Sequence, residues 1–118
     1  MAWITRVRGL AAGQVREMRI DSPGEHESVI IDDPPTVNRI AEALRRTSPY
    51  SLNHEGIRQE RRLTIHAVDG SAIPLRIGKG NSAHPDTVWI QEGVAVYQNP
   101  ELYRVFEEVI PQLWDQKP

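Results

Sequence analysis

Apolar and polar positions alternate with a period of two over most of this chain and switch to helical spacing twice. In Val15–Ile20, Met18 and Ile20 fall on one side, Glu17 and Arg19 on the other, as in a half-buried strand. Val29-Ile30-Ile31 is short, apolar and β-branched. Ser22-Pro23-Gly24 supplies a turn between these runs, which pair as a hairpin. Trp3–Arg8 is a further strand candidate, set apart by Gly9–Gly13. At Asp33-Pro34-Pro35 the period changes. Asp33 can accept from orphan amides as an N-cap, and Pro34 suits the first helical position, where no N–H bond is lost. Val37, Ile40, Ala41 and Leu44 then recur at helical spacing. Ser48-Pro49 closes the helix, because a residue before proline is driven from the α region. Tyr50 to Gly56 reads as a loop.

Two hairpins follow. Arg61–Ala67 and Ala72–Ile77 meet at Val68-Asp69-Gly70. A three-residue loop pairs Ile65 with Ile73 and Leu63 with Leu75; a two-residue loop mixes polar and apolar residues on both faces. The pattern selects the former, with Gly70 in the left-handed position that such a loop requires. The same logic at Gln91-Glu92-Gly93 pairs Ile90 with Val94 and Val88 with Val96 across Thr87–Ile90 and Val94–Tyr97. Gly93 should then also have positive φ. Asn99-Pro100 opens the last helix, whose stripe is Leu102, Val105, Phe106, Val109 and Leu113. Pro111 ends or kinks it near Glu107–Ile110.

The expected fold class is α+β: one antiparallel sheet of about five to seven strands with two helices on one face, in the order (β)ββαββββα. In this register Leu63, Ile65, Ile73, Leu75, Val88, Ile90, Val94 and Val96 face the helices. The opposite face presents Arg62, Thr64, His66, Pro74, Arg76, Trp89, Ala95 and Tyr97. Its candidate ligand or partner surface is Arg62, Thr64, His66 and Arg76 with an aromatic end at Trp89 and Tyr97. Pro74 lacks a donor, which favours an edge or bulged strand.

Length and charge narrow the choices. The chain has 118 residues and no cysteine, so it suits one domain, residues 1–118, without disulfides or thiolate chemistry. No apolar run is long enough for a membrane span. The N-terminus lacks the charged-then-apolar order of a signal peptide. The sequence leaves the location open between the cytoplasm and, if a leader has been removed, the exported soluble part of an envelope protein. The net charge of −2 hides segregation: residues 21–33 carry −5, while residues 34–62 carry +3. Twelve of the fourteen basic residues are Arg, the side chain suited to bidentate carboxylate or phosphate contacts. An anion or nucleic-acid binder is therefore one alternative, although nucleic acid is disfavoured without a basic excess.

Candidate chemistry is sparse. His26, His54, His66 and His84 show no HExxH or HxH spacing, and no serine sits in a GxSxG elbow. His54 and Glu55 lie in one long loop; Lys79, His84 and Asp86 lie in or beside the other, Gly78 to Asp86. A His/acid pair from these loops would give a small hydrolase-like enzyme, the other alternative, but nothing in the sequence joins them. No catalytic residue, metal site or cofactor is assigned. The leading expectation is a non-catalytic binding or assembly domain using the open sheet face, with protein or self-association preferred over a small molecule.

Three segments, VIIDDPPTVNRIAEAL, LTIHAVDGSAIPLRI and TVWIQEGVAVYQNPELYRVFEEV, together resemble the small α+β accessory domains of bacterial cell-envelope lipoproteins, over roughly residues 28–110. The resemblance implies a non-enzymatic envelope domain and carries no functional residues with it. The chain departs from that pattern in having no lipid-accepting cysteine, and no leader is expected in it.

Overall fold

The computed structural model describes residues 3–21, 28–52, 58–80, 86–93 and 95–114. Its centre is a seven-stranded antiparallel sheet in the order β2-β1-β4-β5-β6-β7-β3. The strands are β1 (Val15–Asp21), β2 (Ser28–Ile31), β3 (Ser48–Leu52), β4 (Arg58–Ala67), β5 (Ala72–Lys79), β6 (Val88–Glu92) and β7 (Ala95–Asn99). Helices α1 (Trp3–Arg8), α2 (Pro34–Leu44) and α3 (Pro100–Val109), with a 3-10 turn at Ala12–Gln14, complete the α+β fold.

Both long helices begin where their caps dictate. Asp33 accepts from the Thr36 amide, and Asn99 accepts from the Leu102 amide at 2.8 Å, each with proline in the first turn. Val37, Ile40, Ala41 and Leu44 of α2 pack with Leu102, Val105 and Phe106 of α3 over the sheet. α3 stops at Val109, two residues before Pro111, and Ile110, Leu113 and Trp114 carry the core onward. Asn99 also ties the layers together. Wholly buried, it donates to the Ala43 carbonyl at 2.8 Å and the Thr47 hydroxyl at 3.0 Å, and its own amide donates to Thr87.

The first two hairpins follow the apolar pattern. β1 pairs with β2 through Met18↔Ile31 and Ile20↔Val29. β4 pairs with β5 through Leu63↔Leu75 and Ile65↔Ile73, with Gly70 at φ 91°. All six aliphatic side chains expected beneath the helices from Leu63 to Ile90 are in the core.

Four expectations are corrected. Trp3–Arg8 is a helix: winding places Val7 and Leu10, three residues apart, on one buried side, which an extended strand would not do. Ser48–Leu52 is a strand, where a loop at Tyr50–Gly56 was expected; Pro49 is admitted because β3 is an edge. The rest of that segment, residues 53–56, lies outside the described residues. β5 is interior, not an edge, although its pairing with β6 reaches no further than Arg76↔Gln91 and leaves Pro74 beyond it.

The fourth correction concerns the second hairpin. Gly93 does have positive φ, 61°, but the register is Ile90↔Tyr97, Gln91↔Val96 and Glu92↔Ala95. A two-residue connection, not a three-residue one, joins β6 to β7; its second residue, Val94, lies outside the described residues. This sets Val96 opposite Gln91, three positions from its expected partner Val88, and an odd shift exchanges the faces of β7. Tyr97 packs against the helix-side core, while Val96 is buried on the other face.

Candidate functional site

Proline shapes a cleft in the sheet. The β4–β5 ladder runs unbroken through Thr64↔Pro74, so the donor Pro74 lacks is missing from the β6 side. Beyond Arg76↔Gln91 the two strands part, and a cleft of about 520 Å³ opens between β5 and the end of the β6–β7 hairpin. Pro74, Leu75 and Ile90 give it apolar walls; Arg62, Arg76, Gln91 and Glu92 give it polar groups. Arg76 donates to Glu60 from Nε at 3.1 Å and from Nη2 at 2.6 Å. Arg62 is exposed, opposite Arg76 on one side and Asp21 on the other. The Ser28 hydroxyl, ahead of Arg19, holds the Asp21 carboxyl below the ordinary aspartate value.

The remaining sheet-face candidates scatter. Thr64 and His66 are half-buried, opposite Arg19 and Glu17 of β1. Trp89 is 3% exposed. Its cross-strand partner Gly78 sets no side chain beside it, and the Tyr50 ring tilts onto it at 5.1 Å between centroids. Tyr97 looks toward the helices. There is thus no exposed aromatic end, which removes the surface on which a binding or assembly role was expected. Nor do the arginines of residues 34–62 form one open patch. Arg39 pairs with Glu108. Arg61 is fully buried, donating to the carbonyls of Gln59, Glu60 and Leu113 and lying over the Trp114 ring at 5.9 Å.

Of the loop candidates, His54, Glu55 and His84 lie outside the described residues. Their flanks do not. Arg58, which opens β4, is the cross-strand partner of Lys79, which closes β5, and Lys79 in turn faces Val88, the start of β6. Arg58, Lys79 and Val88 therefore share one end of the sheet. Asp86, exposed, belongs to that end. It acts on Tyr103 of α3, a residue sequence reasoning missed because it sits beside the apolar stripe. Burial first, then the carboxylates of Glu107 and Asp86, raises the Tyr103 phenol above its usual value, so it stays protonated as a donor. Among the described residues no group of His, Asp or Glu could hold a metal ion. No helix among them is long and apolar enough to cross a membrane.

No protein-family model and no curated protein matches the chain. Among solved structures, the crystal structure of a thioesterase-like protein from Clostridium sporogenes is similar in fold, with a TM-score of 0.56. The match covers 82% of this chain and 94% of that one at 9% sequence identity. The chain thus has an α+β fold shared with a thioesterase-like protein. That finding, with the buried Trp89 and inward Tyr97, replaces the expectation of a non-catalytic binding or assembly domain.

Proposed function

We propose that this chain is a small hydrolase-like enzyme acting on acyl esters or thioesters, with a histidine and an acid from the two long connections as its reacting pair. The observation that carries the reading is the fold likeness to a thioesterase-like protein over most of both chains. The Arg58↔Lys79 pairing supports it, because the described residues that follow His54 and Glu55 in sequence and those that precede His84 share one end of the sheet.

The chemistry needs little else. A neutral imidazole takes a proton from water, and a carboxylate on its other ring nitrogen orients it and stabilises the imidazolium. The hydroxide adds to the acyl carbon. The tetrahedral intermediate then expels thiolate or alkoxide, which recovers the proton from the imidazolium. Products are a carboxylic acid and a thiol or alcohol.

The test is initial-rate hydrolysis of short- and medium-chain acyl thioesters and p-nitrophenyl esters by the purified full chain. Turnover is expected, with His54→Ala or His84→Ala lowering kcat/KM by about 100-fold or more. No turnover on either series, or wild-type rates in both variants, contradicts the reading.

A further inference from the structure

The cleft beside Pro74 holds a charge arrangement that hydrolysis alone does not require. Arg62 and Arg76 are direct cross-strand partners on its rim. Like charges directly opposite on two strands repel and weaken the pairing. Arg76 is relieved by Glu60. Among the described residues Arg62 enters no ion pair or hydrogen bond. Its neighbour Asp21 bonds Arg19 at 3.0 Å and also Ser28, so only its field reaches Arg62. One guanidinium therefore stands uncommitted at the mouth of an apolar cleft, beside a second that is half-exposed.

We propose that this cleft binds an aliphatic monocarboxylate. The carboxylate sits between Arg62 and Arg76, and the hydrocarbon chain runs against Pro74, Leu75 and Ile90. An anion placed there turns a repulsive pair into two charge-assisted contacts, and the planar guanidinium suits the two oxygens of a carboxylate. The apolar walls bury the chain. Glu92 on the same rim opposes further negative charge, which favours a single carboxylate over a polyanion. The volume, about 520 Å³, is that of a small-molecule pocket. The proposal rests on the hydrolase reading for one clause alone: the cleft lies toward the β6–β7 turn, away from the Arg58–Lys79 end, so a substrate of that enzyme would reach it with a remote carboxylate.

The experiment is titration of the full chain with octanoate, followed by amide NMR shifts at Gln91 and Gly93, with octanol and inorganic phosphate as single-feature probes. Saturable shifts are expected with octanoate and weaker binding with either probe. Arg62→Gln should weaken octanoate binding by about tenfold or more, whereas Arg104→Gln, on α3, should leave it unchanged. A thermal melt of Arg62→Gln confirms its fold, and Arg62→Lys should recover part of the affinity. Absence of saturable shifts, equal binding of octanol and octanoate, or wild-type affinity in a folded Arg62→Gln would overturn the proposal. Binding is read without turnover, so the two readings fail separately. A chain that binds octanoate through Arg62 yet cleaves no thioester loses only the hydrolase assignment. Cleavage with wild-type octanoate affinity in Arg62→Gln loses only the carboxylate site.

Discussion

The β4–β5 and β6–β7 hairpins look alike in sequence, each with an acid and then a glycine at its turn, yet they are built differently. In β4–β5 one face is apolar and the other carries Arg62, Thr64, His66 and Arg76, so only one register buries the aliphatic set. In β6–β7 both faces are covered: Ile90 and Tyr97 lie under the helices, while Trp89 and Val96 are buried opposite, with Tyr50 on the indole. Alternation cannot choose a register where both choices bury apolar groups. Turn geometry chooses instead, and a two-residue connection with positive φ at its first residue follows the natural twist of the strands.

The largest test of this contrast is the face dependence of truncation. In β6, Trp89→Ala and Ile90→Ala should both be costly, about 3–5 and 2–5 kcal/mol, because each leaves a cavity on its own face. In β4, Ile65→Ala should cost about 2–5 kcal/mol and the adjacent Thr64→Ala less than about 1. Chemical denaturation of the four variants checks this. A cheap Trp89→Ala would mean that the second hairpin is one-faced after all.

Asn99 closes the second hairpin and caps α3. Asn99→Ala removes the cap and both donated bonds, while the Thr47 hydroxyl keeps its bond to the Leu44 carbonyl and the Ala43 carbonyl keeps the Arg46 amide, so a loss of about 1–3 kcal/mol is expected in the same measurement. Asn99→Asp should keep the cap but set a buried carboxylate oxygen against the Ala43 carbonyl, so its loss should be at least as large.

Turn substitutions come next. Gly93→Val should cost about 1–2 kcal/mol because a β-branched residue resists φ near 61°. Gly93→Asn, which tolerates the left-handed region, should recover most of that. Equal costs for both would deny the positive φ its role.

The smallest effects are at the aspartates. Asp21, Asp33 and Asp69 have carboxyls held below the ordinary 3.8, chiefly by the hydroxyls of Ser28, Thr36 and Ser71 respectively. A folded-state pKa below the unfolded value stabilises fully above the unfolded value and is lost as pH falls through the folded one. Melting temperature should therefore decline as pH drops below about 4, and more shallowly in a double Asp33→Asn, Asp69→Asn variant. Parallel acid profiles would remove these contacts from the account.

Much of the fold was legible because local chemistry and burial agreed. Asp33-Pro34 and Asn99-Pro100 marked both long helices, and Gly70 fixed the first hairpin. α1 was missed because six residues with apolar positions at Trp3, Ile4 and Val7 fit either period, and contact with α2 and β5 decides. β3 was missed because Pro49 argues against a strand unless its edge position is known. The cleft was half legible. Arg62 and Arg76 were placed on one face correctly because the first hairpin had a single good register. Tyr97 was misplaced because the second did not. Pro74 signalled a missing donor but not which neighbour would part from it. Tyr103 was passed over although Glu107, four residues on along α3, is a partner that helical spacing implies; Asp86 meets it only in the folded chain.

The β6–β7 register underlies both the burial of Trp89 and the position of Gln91 and Glu92 at the cleft, so it is the point to measure. Cross-strand backbone NOEs in the isotope-labelled full chain report it directly. The structure predicts contacts of Ile90 with Tyr97 and of Gln91 with Val96. Contacts of Val88 with Val96 would contradict it, return Tyr97 to the outer face, and take away the cleft as described.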